Sequence, residues 1–323
     1  MTLTRTTSGR PTSLPIVPPP MVVLRESQLS SALTTIRQQR STLHNEEKSK
    51  FIYETFFPRS QNRTQTDAST DYPDPVCAFR PITDDQIHWA ISRLAPYKAP
   101  GPNGISNIVF KNCSDLLVPW MGHFFRATFE LKFLPNEWLN SKTVVIRKPG
   151  RPDYSAPKAY RPIALLDTMS KILSACVAED LTWITTKHNL LPHTHFGGLP
   201  GRSTTDSLHL LTKFIHDAWA HPTNNHVSMM FMDIKAAFPS VVPEQLFHNM
   251  RKRGILTEYI DWYKTRLTRW STTLEFNDYC SPAFQIETGV NQGCPLAASV
   301  SLLQCRCSRH PKQQQKHPGV RLH

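Results

Sequence analysis

The stretch HVSMMFMDIKAAFPSV occupies residues 226–241 and contains one acid, Asp233, at the end of an apolar run. The length and composition of this run predict a strand from Met229 to Met232 that is buried on both faces. A carboxylate beside such a strand costs several kcal/mol unless something compensates its charge. A bound metal ion is the usual compensation, so we predict that Asp233 is a metal ligand.

The chain has 323 residues with a formal net charge of +12, and 39% of them are hydrophobic. This composition is sufficient for one large or two modest globular domains. The positive charge is a weak indication of a polyanionic partner such as nucleic acid. The cysteines lack framework spacing, which predicts reduced thiols in an intracellular protein, either nuclear or cytoplasmic. No apolar run approaches the roughly 18 residues that span a bilayer, so we expect no membrane partner.

Composition divides the chain into five predicted parts. Residues 1–25 are basic and proline-rich, which indicates a disordered tail, because proline interrupts the amphipathic helix of a transit peptide. Residues 26–58 have a helical pattern and residues 59–80 form a polar linker. Residues 81–303 alternate helices with strands, and residues 304–323 are a basic tail without periodicity.

Helix and strand signals alternate within residues 81–303 and end in a hairpin. This order predicts an α+β fold, a mixed sheet with helices packed against it. The predicted elements are a helix from the capping box of Thr83 and Gln86, a helix from Ser114 through Trp120 and Phe124, a strand at 143–147, a loop at 148–158, a helix through Ile172 and Cys176, a helix capped by Ser203 with a buried stripe of Leu208, Leu211, Ile215 and Ala218, a helix from Pro243 to the stop at Gly254, and a hairpin of 272–276 with 284–288.

Five motifs in a fixed order carry a family resemblance. They are KAPGPNGISN at Lys98, VVIRKPGRPDYSAPKAYRPIALL at Val144, FGGLPGRSTTDSLHLL at Phe196, MFMDIKAAFPSV at Met230 and GVNQGCPL at Gly289. The set resembles the reverse transcriptase domain of a non-LTR, LINE-type retrotransposon polyprotein. The resemblance implies a right-hand polymerase with fingers and a partial palm, the thumb being absent. Telomerase-like and group II intron-type reverse transcriptases are the nearest enzymatic alternatives.

The resemblance implies RNA-directed DNA synthesis with an RNA template, a DNA primer and deoxynucleoside triphosphates. In this phosphoryl transfer two Mg²⁺ ions, about 4 Å apart, hold the attacking hydroxyl and the leaving pyrophosphate. Asp233 would bridge both ions, and the backbone carbonyl of Ile234 would supply a further oxygen. A capping aspartate after a core strand is the alternative interpretation of Asp233.

The same resemblance assigns four residues to the nucleotide. Lys148 and Arg161 would hold the triphosphate, in a segment rich in Lys and Arg. Phe238 would reject a 2′-hydroxyl, and Gln292 would contact the nucleotide from a glycine-bounded turn. The alternatives are a solvated basic loop, an ordinary core phenylalanine and an unremarkable loop glutamine.

Contacts to the template or primer are implied for Gly197, Gly198 and Arg202. The alternative is a turn that enters a helix, with a surface arginine.

No Asp or Glu follows Glu287 in this sequence. The family continues into an aromatic-Ala-Asp-Asp motif that completes the metal site. We therefore expect a chain truncated before that motif, with the second Mg²⁺ unbound and no activity of its own. A non-catalytic nucleic-acid-binding relic and an unfolded remnant are the alternative hypotheses.

The basic tail at 304–323 is typical of out-of-frame or unspliced sequence. A zinc site is the alternative, but its candidate ligands match no standard spacing; they are Cys305, Cys307, His310 and His317.

Overall fold

Helices and short strands alternate along the chain. The computed structural model describes residues 45–58, 70–154, 156–221, 226–233, 236–276, 279–297 and 299. Helices α1 to α5 span Asn45–Phe56, Asp84–Ser92, Asn107–Asn112, Ser114–Glu130 and Asn136–Leu139. Helices α6 to α9 span Thr168–Lys187, Thr204–Trp219, Pro243–Lys252 and Thr257–Arg269. Strands β1 to β5 span Asn140–Arg147, Tyr160–Leu166, Ser271–Phe276, Tyr279–Cys280 and Phe284–Gln285, and a 3₁₀ turn covers Pro157–Ala159.

The strands form one mixed sheet, which confirms the predicted α+β class. β1 lies between β2, which is antiparallel to it, and β3, which is parallel to it. The predicted hairpin is present, but its return half consists of two short strands, β4 and β5, which both pair with β3. The sequence pattern does not predict β2, because Pro162 interrupts it. Proline is tolerated there because β2 ends the sheet order.

Local sequence sets the predicted helix ends. Thr83 and Gln86 form the capping box of α2, and Ser203 and Asp206 form that of α7. Helix α8 begins at a proline and is followed by Gly254 with φ +72°. These predictions are confirmed because each depends on residues within one turn of the helix end.

Helices α2, α4, α6, α8 and α9 contribute to one hydrophobic core. Phe125 of α4 and Trp262 of α9 are almost fully buried, and the Trp262 indole N–H donates to Thr128 Oγ1 at 3.1 Å. Helix α4 also carries apolar side chains on its outer side, where Trp120 and Phe124 are 70% and 60% exposed. The predicted helix is therefore present, but the two aromatic residues that trace it in the sequence lie outside the core.

Two predictions of buried segments are wrong. Residues 226–233 have no strand structure, and Phe231 and Met232 are 84% and 85% exposed. Within the described residues no strand of the sheet pairs with this segment, so it lacks the neighbouring strands that would bury both of its faces. Helix α7 has no buried residue, and Leu208 of its predicted stripe is 62% exposed. An apolar pattern specifies which side of an element can be buried, but not which other segment covers it.

Part of the predicted linker, from residue 70 onward, packs against the helices. Val76 N–H donates to the Gly254 carbonyl at 2.9 Å, and the Tyr72 hydroxyl lies 2.9 Å from His248 Nδ1. The Phe79 ring contacts those of Phe129 and Tyr259, with centroids 5.3 and 5.4 Å away.

Cys176 and Cys294 are buried free thiols, and burial raises the pKa of Cys176 to about 12. None of the helices in the described part of the chain is long and apolar enough to cross a membrane. The predicted tails at 1–25 and 304–323, with the alternative zinc ligands, lie outside the described residues, as does the helical pattern at 26–44.

Candidate functional site

The mixed sheet has one buried face and one half-exposed face. Successive side chains of a strand point to opposite faces, so β1 and β2 each contribute to both. Thr143 and its cross-strand partner Ala164 lie on the buried face, whereas Ile146 and its partner Arg161 lie on the other. We call the half-exposed side the front face; it consists of Lys142, Val144, Ile146, Arg161, Ile163, Leu165 and Glu275.

The front face has an apolar centre and a charged rim. Arg161 is exposed on β2, while the Lys142 ammonium pairs with the Glu275 carboxylate at 2.7 Å. A surface of this kind offers apolar contact to a base or sugar and charged donors to phosphate oxygens.

Lys148 lies at the same end of the β1–β2 pair as Arg161. Its backbone N–H donates to the Ala159 carbonyl at 2.8 Å, which extends the ladder by one step beyond β1. Strand alternation then places Lys148 on the front face, two positions after Ile146. The Lys148 ammonium donates to the Lys158 carbonyl at 3.0 Å. The structure thus brings together the two residues predicted to hold the triphosphate.

The turn that carries Gln292 is docked on β2. Ala164 N–H donates to the Gln292 carbonyl at 3.0 Å. Gly293 has φ +134°, and a Cβ atom at this position would lie 2.5 Å from the Ala164 carbonyl oxygen. Only glycine permits both this conformation and this approach. The close contact holds Gln292 three residues along β2 from Arg161.

Phe238 lies against the same turn. Its carbonyl accepts a hydrogen bond from Val290 N–H at 3.0 Å, and Gly289 N–H donates to the Val241 carbonyl at 2.7 Å. The Phe238 side chain is half-buried and packs against the hydrophobic core. The structure therefore joins Phe238 and the Gln292 turn through backbone hydrogen bonds, and both interpretations of this phenylalanine are compatible with its position.

Asp233 is exposed at the end of the irregular segment 226–233. Its neighbour Ile234, the other predicted metal ligand, lies outside the described residues. Among the residues that the structure describes, no group of three or more His, Cys, Asp and Glu side chains could hold a metal ion. The described residues therefore do not form a complete site for two Mg²⁺ ions, and Asp233 contributes at most one carboxylate to such a site.

The predicted template-contacting loop precedes α7 and is stabilised by its own arginine. Arg202 donates from one terminal nitrogen to the carbonyls of His193 and His195, at 2.7 and 2.5 Å. The His195 ring nitrogen Nε2 lies 2.9 Å from the Gly197 carbonyl oxygen, and Gly198 has φ +70°. All three predicted contact residues are exposed.

The first motif packs at the other end of β2. Asn103 N–H lies 3.4 Å from the Asp167 carboxylate, and a Cβ atom on Gly101 would lie 2.5 Å from the Asp167 nitrogen. Burial raises the pKa of the Asp167 carboxyl. The motif KAPGPNG therefore has a packing role beside β2, which explains its glycine without a ligand.

Helix α1 contributes to this region, which the sequence pattern does not predict. The Phe284 ring on β5 meets Tyr53 and Phe57 edge-on, with centroids 4.8 and 5.2 Å apart. The Thr288 hydroxyl donates to the Pro58 carbonyl at 2.5 Å. Residues before the predicted polymerase region thus support the segment that leads into the Gln292 turn. The aromatic residues of α1 were the only signal of this contact.

Residues 146–315, more than half of the chain, match the family described as reverse transcriptase (RNA-dependent DNA polymerase). The chain belongs to the reverse transcriptase family. This membership confirms the resemblance drawn from the five motifs. Members of the family generally use divalent metal ions.

Three relatives of this reverse transcriptase chain come from mobile elements of Drosophila melanogaster. It is 27% identical over 230 residues to a probable RNA-directed DNA polymerase from transposon BS, covering 69% of this chain and 25% of that protein. It is 27% identical over 249 residues to a probable RNA-directed DNA polymerase from transposon X-element, and this match covers 77% of this chain and 26% of that protein. It is 22% identical over 219 residues to the RNA-directed DNA polymerase from mobile element jockey, and this match covers 68% of this chain and 24% of that protein. The chain spans about a quarter of the length of these relatives.

Proposed function

We propose that this chain contains the nucleotide-facing part of an RNA-directed DNA polymerase of a non-LTR retrotransposon. The observation that carries the proposal is that the Gln292 turn is hydrogen-bonded to Ala164 of β2, the strand that also carries Arg161, while Lys148 directly follows the partner strand β1 and Phe238 is joined to the turn. Lys148 and Arg161 come from one motif and Gln292 from another that begins more than a hundred residues later, and neither motif by itself requires the two to meet on β2.

Each residue has a chemical role in this proposal. Lys148 and Arg161 neutralise the triphosphate of an incoming deoxynucleotide, and the planar guanidinium adds bidentate contacts. Gln292 contacts the nucleotide, and Phe238 rejects a ribose 2′-hydroxyl. Asp233 supplies one metal-binding carboxylate for Mg²⁺, with the Ile234 carbonyl as a neighbouring oxygen.

The RNA template and DNA primer are the proposed macromolecular partners. Gly197, Gly198 and Arg202 are the proposed contacts to them, because the exposed loop offers backbone groups and a cation.

We further propose that the 323-residue chain alone does not polymerise. Two Mg²⁺ ions require several carboxylates, and Asp233 is the one that the family motifs place at the metals. The direct test measures template-dependent incorporation of deoxynucleotides by the purified chain. Incorporation that Asp233→Ala abolishes would refute this part of the proposal.

Binding of nucleic acid is the activity expected of the chain by itself. We expect affinity for a single-stranded RNA to fall steeply with salt concentration, because binding releases counterions from phosphates. Arg202→Ala, at the proposed template contact, should reduce the slope of log affinity against log salt by about 0.7. Lys264→Ala removes an exposed lysine of α9 as a charge-matched control. Salt-insensitive binding, or equal effects of the two variants, would contradict the assignment.

A further inference from the structure

The loop at 148–158 joins the two ends of the front-face strands and is held by two tyrosines. The Tyr154 hydroxyl donates to the Lys148 carbonyl at 2.8 Å. The Tyr160 hydroxyl donates to the Tyr154 carbonyl at 2.9 Å. The two rings lie 6.1 Å apart at 71°. Two hydrogen bonds that share Tyr154 therefore link the start of β2 to the loop, and the loop to the residue that follows β1.

Arg147 completes this arrangement, which we call the tyrosine brace: Arg147, Tyr154 and Tyr160. The Arg147 guanidinium carbon lies 4.7 Å from the centre of the Tyr154 ring, within range of a cation–π contact. Arg147 is also the cross-strand partner of Tyr160, which is 8% exposed. Burial raises the pKa of Tyr160. Its hydroxyl therefore stays protonated at neutral pH and available to donate.

The brace and the predicted phosphate ligands lie on opposite sides of the strands. By strand alternation, Arg147 and Tyr160 lie on the same face as the buried side chains Thr143 and Ala164, whereas Lys148 and Arg161 lie on the front face. The brace can consequently order the loop from behind and leave the front face accessible.

We propose that Tyr154 is a positioning residue that holds Lys148 at the rim of the front face, so that Lys148 and Arg161 together bind a triphosphate. This inference rests on the proposed nucleotide role of those two residues. A phosphate oxygen carries charge and therefore competes well against the neutral Lys158 carbonyl that now accepts from the Lys148 ammonium. A loop ordered before binding loses less conformational entropy when the ligand arrives.

The test compares Tyr154→Phe with the parent chain. This variant removes the hydroxyl but keeps the ring beside Arg147. Tyr97→Phe is the matched control, because Tyr97 is 83% exposed. Two quantities are measured: amide hydrogen exchange within residues 148–154, and the affinity for inorganic tripolyphosphate by calorimetry.

We expect Tyr154→Phe to accelerate exchange about five- to tenfold, as loss of one hydrogen bond implies. We expect a similar loss of tripolyphosphate affinity, a thermal midpoint lowered by no more than about 4 °C and no effect of Tyr97→Phe. Unchanged exchange and unchanged affinity in Tyr154→Phe would overturn the inference, and so would faster exchange with full affinity.

A parent chain that binds no tripolyphosphate would refute the proposed role of Lys148 and Arg161. Amide exchange would still decide the structural half of the inference in that case. Faster exchange in Tyr154→Phe would support the brace, and unchanged exchange would overturn it.

Discussion

Replacement of Gly293 by alanine tests whether the Gln292 turn is held on β2 by close backbone contact. A Cβ atom at Gly293 would lie 2.5 Å from the Ala164 carbonyl oxygen, a backbone atom of the sheet that cannot rotate away. The glycine also has φ +134°, where alanine is strained by about 1–3 kcal/mol. Moving the turn to relieve the clash breaks the bond from Ala164 N–H to the Gln292 carbonyl, which costs about 1 kcal/mol more.

We therefore expect Gly293→Ala to lower the free energy of unfolding by about 2–4 kcal/mol. The assay is equilibrium unfolding in urea followed by circular dichroism, with the change taken from the midpoint at constant m-value. A cooperative transition of the parent chain is the required starting point, and its absence would favour the unfolded-remnant hypothesis.

Gly150→Ala separates the contact from the backbone strain. Gly150 also has a positive φ, +71°, but a Cβ atom there would meet nothing within 4 Å. Gly150→Ala should therefore lower the free energy of unfolding only by the backbone strain of alanine at positive φ, about 1–2 kcal/mol. If Gly293→Ala costs no more than Gly150→Ala, the turn is not held by the contact with Ala164, and the argument for a preformed Gln292 position fails.

Three further predictions use the same unfolding assay. Phe125 is fully buried, whereas its neighbour Phe124 is 60% exposed. Phe125→Ala should therefore lower the free energy of unfolding by about 3–5 kcal/mol, and Phe124→Ala by less than about 0.5 kcal/mol. Equal losses would contradict the assigned face of α4. Burial raises the pKa of Asp180 above 3.8 in the folded protein. The contribution of Asp180 to the free energy of unfolding is therefore fully present at low pH and is lost as the pH rises through its pKa in the folded state. As pH rises above 3.8, the stability of Asp180→Asn should therefore increase relative to that of the parent; a stability difference that does not change with pH would contradict this. Arg266 is 2% exposed, and its terminal nitrogens have no hydrogen-bond partner among the described residues. Arg266→Met should raise the free energy of unfolding by about 1–3 kcal/mol; a loss of stability would reveal an acceptor for the guanidinium.

Much of the candidate site follows from short motifs in the sequence. The loop at 148–158, the glycine-bounded turn around Gln292 and the helix caps at Thr83 and Ser203 are all where the sequence predicts them. Family membership also follows from the order of five motifs. The positions of helix α9 and strand β2 do not, since the first lacks a clean start signal and the second contains Pro162.

The sequence by itself determined the caps, the turns and the family, because these depend on residues within about one helical turn or on an ordered set of short motifs. Only the tertiary structure decided burial and convergence. It exposed Phe231 beside Asp233, buried Phe125 while exposing Phe124, and placed Gly293 against Ala164. Burial and close approach are properties of two segments together, and an apolar pattern in one segment does not specify the other.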